Sequence, residues 1–235
     1  MSIGSSRVVA LLPMKANSER VRGKNFLDFN GKPLFRWILD TLLSVDEIDQ
    51  VVINTDARAI LADNGLDESP RVMIRDRKPE ICGDLVSMNK VLADDIASVN
   101  ADIYLMTHTT NPLMSAETIR GALAAFREAK SRGEADSLFT VDKVQTRFYC
   151  ADCSPVNHDP DNLVRTQDLE PWFEENSNLY IFTRDSFAKT GARIGKKPMM
   201  YEGPRFESID IDDQDDWELA VVAARYLQEQ QGKKA

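Results

Sequence analysis

Short apolar runs alternate with amphipathic stretches along most of this chain, and that alternation restricts the fold more than any other feature. "RVVALL" (7–12), "QVVINTD" (50–56), "RVMI" (71–74), "ADIYLM" (101–106) and "DSLFTV" (136–141) are apolar, β-branched and of strand length. Between them, "PLFRWILDTLLSV" (33–45), residues 57–63, "SMNKVLADDIASV" (87–99) and "SAETIRGALAAFREAK" (115–130) carry apolar residues at helical spacing. Pro33 suits a first helical turn, and Ser87 and Ser115 stand at N-cap positions. Apolar strands joined by helices of this length predict an α/β, three-layer fold with a mostly parallel sheet covered on both faces.

The pattern breaks between 142 and 177, where polar, turn-rich pieces such as "CADCSPVNHDPDN" replace the helices. We expect an inserted segment there, in the form of a hairpin, within a single domain spanning 1–235. "NLYIFT" (178–183) and "FESIDI" (206–211) return to strand character, and "DQDDWELAVVAARYLQEQQ" (213–231) reads as an amphipathic helix with acidic residues in its first turn.

Composition narrows the partners. The chain carries a formal net charge of -9, which disfavours nucleic acid and anionic membrane surfaces. It has no apolar run near the roughly 20 residues of a membrane span and no charged leader before its first apolar run, so the expected location is the cytoplasm. Three cysteines in a chain this long fit a reducing compartment better than a disulfide scaffold. Against this acidic background, "PMKANSERVRGKN" (13–25) gathers Lys15, Arg20, Arg22 and Lys24 directly after the first strand. Ligands of parallel α/β sheets bind beyond the carboxyl ends of the strands, and backbone amides with Lys and Arg there suit a polyphosphate. The loop is neither a Walker A sequence nor GxGxxG. On charge alone, a solvated basic loop fits it equally well.

A second feature lies near the other end. "SIDIDDQDDW" (208–217) places Asp210 and Asp212 two residues apart, on one face if the segment is a strand. Adjacent carboxylates repel unless a cation sits between them, and such oxygen ligands suit Mg²⁺. An exposed acidic strand end is the competing reading, and Asp213, Asp215 and Asp216 fit a helix start. A cationic phosphate loop together with an acidic metal pair describes nucleotidyl transfer.

Taken in order, "LLPMKANSERVRGKN", "NTD" (54–56), "RKPEICGDLVS" (77–87), "TTNPL" (109–113), "ENSNLYIF" (175–182) and "ESIDID" (207–212) resemble the cytidylyltransferases. The similarity is to the CMP-sialic acid (acylneuraminate) synthetases, with the 3-deoxy-manno-octulosonate enzymes as cousins, and it runs from about residue 7 to 225. The resemblance implies a Rossmann-like nucleotidyltransferase fold and transfer of CMP from CTP to an acid sugar with Mg²⁺. It also implies a homodimer in which 142–177 reaches across to the neighbour. Lys15, Ser18, Lys24, Asn25 and Arg77 look like CTP contacts, with Asp84 and Ser87 in the same motif as Arg77. Asn176 resembles a sugar or phosphate contact, and Arg165 and Gln167 resemble a basic, polar segment that reaches the sugar acid. Asp210 and Asp212 match the metal aspartates, and Lys15, Lys24 and Asp212 are the implied catalytic set.

The departures concern the sugar more than the nucleotide. The family usually has arginine at Lys15, small residues at Ala16 and Asn17, glutamine at His108 and arginine at Met114. His108, at the end of the fourth strand, is expected over the cleft as a sugar contact. The acceptor is therefore an acylneuraminate-like acid, a 3-deoxy-octulosonate or a legionaminate-like sugar; a nucleotide-binding module without turnover is the reading outside enzymes. "CADC" (150–153) has redox or zinc spacing, but only His158 lies near it, so we read a surface turn. Trp37, Trp172 and Trp217 are expected in the core or an interface, with Trp172 a candidate wall for the sugar.

Overall fold

A computed structural model describes residues 6–17, 21–83 and 85–232. In chain order the elements are β1 (Val8–Leu11), a two-residue hairpin of β2 (Asp28–Phe29) and β3 (Lys32–Pro33), α1 (Leu34–Leu43), β4 (Gln50–Thr55), α2 (Arg58–Asp63) and β5 (Val72–Asp76). They continue with α3 (Met88–Ser98), β6 (Ile103–Met106), α4 (Ala116–Ser131), β7 (Ser137–Val144), β8 (Trp172–Thr183), α5 (Arg184–Thr190), β9 (Pro198–Glu202) and α6 (Gln214–Gly232).

Among the described residues the main sheet has seven strands in the order β5-β4-β1-β6-β8-β7-β9. β1 pairs in parallel with β4 and β6, β4 with β5, and β7 with β9; β8 alone runs against its neighbours. The α/β, mostly parallel architecture expected from the alternation is therefore present. Its three layers follow from the pleat. Val8, Ala10 and Leu12 face α1 and α4 in one apolar cluster, while Val9 and Leu11 face α3 and α5 in another. Every residue of β1 is fully buried, as a central parallel strand requires. α6 joins neither layer. Its Ala220, Ala223 and Ala224 pack with Phe29, Leu34, Leu113 and Ile211, and Trp37 and Trp217 meet Phe29 edge-on at 5.4 and 5.3 Å. The last helix thus closes over the loops beyond the strand ends.

Three local expectations change. Residues 206–211 are not a strand: Arg205–Glu207 form a single 3-10 turn, and the chain beyond crosses the strand ends with one backbone bond, Ile211 N to Thr110 O at 2.9 Å. Its Ile209 and Ile211 pack instead into the cluster beneath α6. α5 and β9 were not expected. Thr183 and Ser186 form a reciprocal cap at the start of α5, and Gly191, in the left-handed region at φ 67°, ends it. Ser115 caps α4 by accepting from Thr118 N at 3.1 Å, whereas Ser87 holds the N-cap place of α3 without a side-chain bond.

Within 142–177, β7 and β8 extend as an antiparallel ladder out to Val144↔Trp172, and a Tyr149↔Pro155 bridge closes a smaller turn. Cys150 and Cys153 sit exposed on that turn as free thiols, and no group of three potential metal ligands occurs among the described residues. Among the described helices none is long and apolar enough to cross a membrane.

Gly121 on α4 stands where an added Cβ would lie 2.3 Å from the hydroxyl of Tyr201. Gly121→Ala is therefore expected to lower stability by about 1–3 kcal/mol through overpacking, despite alanine's better helix propensity. Urea unfolding measures it, and a more stable variant would show that Tyr201 yields without strain.

Candidate active site

The first loop leaves β1 still attached to β4. Leu12 N donates to Val52 O at 2.8 Å and Met14 N to Asn54 O at 3.0 Å, so Lys15, half-buried, emerges at the carboxyl edge of the sheet. Ala16 N is held by Asp56 Oδ1 at 2.7 Å. Ser18 and Arg20 lie outside the described residues, as does Asp84. Gly23, with φ 64°, then bends the chain into a short 3-10 turn that carries Lys24 and Asn25 inward.

Those two side chains tie the edge together. Asn25 donates to Lys15 O at 2.9 Å and accepts from the Thr109 hydroxyl at 2.6 Å, joining the first loop to the segment after β6. Lys24 is 5% exposed and its Nζ donates to the carbonyl of Ile211, between Asp210 and Asp212. Residues 187 positions apart in sequence thus meet on one side of the sheet. The acidic segment is also held by Asn178, which donates to Glu207 O at 2.8 Å, and by Ser115 N on Glu207 Oε2 at 2.9 Å.

Burial pushes the Asp210 carboxyl above the usual carboxylate range; Thr110 and Lys24 pull it back, while Asp212 and Asp216 push it further. Its Oδ1 is buried with no hydrogen-bond partner among the described residues. An acceptor left so beside a second carboxylate fits a divalent cation, which takes one or two carboxylates and completes its shell with phosphate oxygens and water. Asp213 and Asp216 do different work. Asp216 N donates to Asp213 Oδ1 at 3.0 Å and Asp213 N to Asp216 Oδ2 at 3.1 Å, a reciprocal cap on α6.

Arg77 lies beneath the first loop, 8% exposed, with Nε on Asn54 Oδ1 at 2.9 Å and Nη2 on Asn54 O at 2.8 Å. Asn54 Nδ2 in turn donates to the fully buried Asp95 at 2.7 Å. Burial pushes Asp95 up to about 6, with Asn54 and Arg75 opposing. A carboxyl raised on folding favours the protonated native state, so its stabilisation is present below the unfolded value and lost as pH rises through about 6. Asp95→Asn should therefore gain in melting temperature over the parent between about pH 4 and 7. Parallel melts across that range measure it, and a constant difference between the two proteins would contradict this assignment.

His108 follows β6 at the strand end, half-buried, and burial with the nearby Arg193 lowers it to about 4. At neutral pH it is an uncharged hydrogen-bonding group. Arg193, which the sequence pattern did not single out, lies 3.9 Å over the Tyr180 ring, donates to its hydroxyl at 3.1 Å and stands 3.9 Å from Glu175. Tyr180 donates to Glu175. Arg193 and Glu175 wall a cavity of about 310 Å³ with Ser87, Met88, Asn89 and Ile194. Met114, where the resemblance implies an arginine, is 1% exposed and packs in the core.

The remaining candidates lie elsewhere. Asn176, half-buried on β8, accepts from Asn178 N at 3.3 Å. Arg165 and Gln167 are exposed in the 142–177 segment, Arg165 paired with Asp168 at 2.7 Å. Trp172 stacks on Phe148 at 5.2 Å in that same segment, and His158 bonds Tyr149 at 2.9 Å.

A family described as cytidylyltransferase matches residues 9–217. An N-acylneuraminate cytidylyltransferase of Oncorhynchus mykiss is 26% identical over 223 residues, covering 91% of this chain and 49% of that protein, so the chain spans about half the length of this relative. A CMP-N,N'-diacetyllegionaminic acid synthase of Legionella pneumophila is 27% identical over 240 residues, covering 95% and 98%. In structure, 4-diphosphocytidyl-2C-methyl-D-erythritol synthase of Anaerococcus prevotii superposes with a TM-score of 0.67 at 15% identity, covering 96% and 98%, a likeness of fold.

Proposed function

Because this chain belongs to the cytidylyltransferase family, we propose that it transfers CMP from CTP to the anomeric hydroxyl of an acylneuraminate-like α-keto acid sugar, releasing pyrophosphate. The observation that carries the reading is the seat of Lys24 on the Ile211 carbonyl, which brings the cationic loop and the Asp210/Asp212 pair to one edge of the sheet. Two of its relatives bear names that share CMP transfer to an acid sugar and differ in the sugar.

In this mechanism the loop amides, Lys15 and Lys24 hold the triphosphate, with Ser18, Asn25, Arg77, Asp84 and Ser87 completing the nucleotide site. The anomeric oxygen attacks the α-phosphorus, a bond forms from oxygen to phosphorus, and the bond to the bridging oxygen of pyrophosphate breaks. Lys15 and Lys24 stabilise the negative charge gathering on the leaving group. Asp210 and Asp212 would hold a divalent cation, read as Mg²⁺, which would supply Lewis-acid charge for the transfer. The hydroxyl proton passes to one of these carboxylates, since burial and Arg193 disfavour protonation of His108. His108, Asn176 and the Arg193 cavity receive the sugar.

Arg165 and Gln167 enter this scheme through a second copy. In a homodimer, the 142–177 segment of one chain reaches the partner's site, where Arg165 neutralises the sugar carboxylate. The exposed Leu163, Val164, Trp172 and Phe173 on that segment support such an interface, being apolar surface that association would bury.

Incubating the protein with CTP, Mg²⁺ and a panel of acid sugars, with pyrophosphatase and phosphate detection, tests the reading. Turnover on a nine-carbon α-keto acid is expected; CTP binding without turnover on any sugar would leave the nucleotide-binding module standing instead. Removing Arg193 as Arg193→Leu should raise KM for the sugar about tenfold, a lost charged hydrogen bond, and leave KM for CTP unchanged. An unaltered sugar KM would take that cavity out of the acceptor site.

A further inference from the structure

The reaction above leaves Asp95 unused. It sits within α3 with no exposed surface, a position in which a carboxylate is unfavourable unless partners hold it. Its Oδ1 accepts from Asn54 Nδ2 at 2.7 Å and from Nη1 of Arg75, while Oδ2 has no partner among the described residues. Arg75 is shared with Asp94 at 2.8 Å, and Asp94 with Lys78 at 2.5 Å.

The bond to Asn54 has a directional consequence. With Nδ2 committed to Asp95, the amide oxygen of Asn54 points the other way and accepts Arg77 Nε at 2.9 Å. Arg77 Nη2 then reaches the carbonyls of Asn54 at 2.8 Å and Met14 at 3.5 Å, directly before Lys15. Were the amide to rotate, Nδ2 would face Nε–H, donor against donor, with both groups buried and unable to turn to water. A line of hydrogen bonds therefore runs from the middle of α3 to the backbone of the first loop.

We propose that Asp95 is a positioning residue for nucleotide binding: it orients the Asn54 amide, which locks Arg77 beneath the first loop and fixes the backbone that receives the triphosphate. The inference rests on the reading of that loop as the CTP site. Arg77 touches the loop; Asp95 acts through two intermediaries, so its loss is felt in nucleotide affinity more than in the chemical step.

Kinetics on the full chain with CTP and a turned-over acid sugar provide the test. Asp95→Leu, which keeps the branched shape with bulkier ends and removes the acceptor, should raise KM for CTP about tenfold, with KM for the sugar unchanged. Asp95→Asn should stay near the parent, because one amide oxygen can accept from both Asn54 and Arg75 while its Nδ2 takes the place of the partnerless Oδ2. In an Arg77→Lys background, Asp95→Leu should add no more than about twofold, since coupled residues are not additive. Should Asp95→Leu not fold, Asn54→Ala takes its place in the same cycle.

An unchanged CTP KM, an equal rise for both substrates, or full additivity with Arg77→Lys would overturn the inference. CTP binding by calorimetry allows the same cycle without a known sugar. Failure of turnover on every sugar then counts against the proposed reaction alone, and additivity in the binding cycle against the role of Asp95 alone.

Discussion

Asp212→Ala is expected to lower kcat by at least about a thousandfold, equivalent to some 4 kcal/mol of transition-state stabilisation, while its melting temperature moves by only a few degrees. The two effects separate because Asp212 is half-buried at the start of the α6 junction. The cap of that helix is made by Asp213 and Asp216, and Asp216 also accepts the backbone N–H of Asp212. Removing the carboxylate also relieves its repulsion on Asp210, whose carboxyl it pushes upward. What is lost is half of the oxygen pair that would hold the divalent ion, and with it charge placed where the α-phosphate reacts. Asp213→Ala supplies the opposite pattern from the neighbouring position. Its side chain accepts from Asp216 N, so about 1 kcal/mol of helix stability should go with turnover nearly intact. Steady-state rates and thermal melts on the two variants read both quantities. An Asp212→Ala protein keeping a tenth of the parent's kcat would remove the metal pair from the mechanism.

The layers of the fold were legible because burial on both faces of a parallel strand writes itself into composition: "RVVALL" and "ADIYLM" leave no polar face, and the helices between them have one. α5 and β9 escaped because seven and five residues carry too little periodicity; the Thr183–Ser186 cap and Gly191 were the available signals. The 206–211 segment misled for a physical reason. Alternating Ser, Ile, Asp and Ile satisfies a strand's period, yet the same alternation serves an extended chain that drops Ile209 and Ile211 into the α6 cluster. At the site, charge and spacing indicated Lys24 and the aspartates. They said nothing of Arg193, whose significance arises from Tyr180 and Glu175 across the sheet, nor of Asp95, which reads as part of a solvated helix face beside Asp94. Pair geometry of that kind, spanning many residues of sequence, is set only by the folded sheet.

Lys24→Met should produce the second large effect, and its pH dependence distinguishes a catalytic cation from a structural one. Lys24 is buried, bonded to Ile211 O, and lowers the Asp210 carboxyl that burial raises. Methionine fills similar space but supplies neither a donor nor charge. Losing the cation proposed to face the departing pyrophosphate should lower kcat by about 10²–10³-fold. Arginine should not restore it, because a planar guanidinium does not fit the compact seat of an ammonium. Stability should respond through Asp210. Without Lys24 its folded-state carboxyl rises further above the unfolded value, so the ionised form is disfavoured more strongly in the native protein. The variant then loses stability as pH rises through the folded value and regains it below the unfolded value, where Asp210 is protonated in both states. Melting temperatures of Lys24→Met and parent should therefore diverge at neutral pH and converge toward about pH 4. If the gap instead stayed constant or widened in acid, the lysine would be acting through packing alone. The link it makes between the first loop and the acidic segment would then be steric, with no electrostatic share in holding a nucleotide.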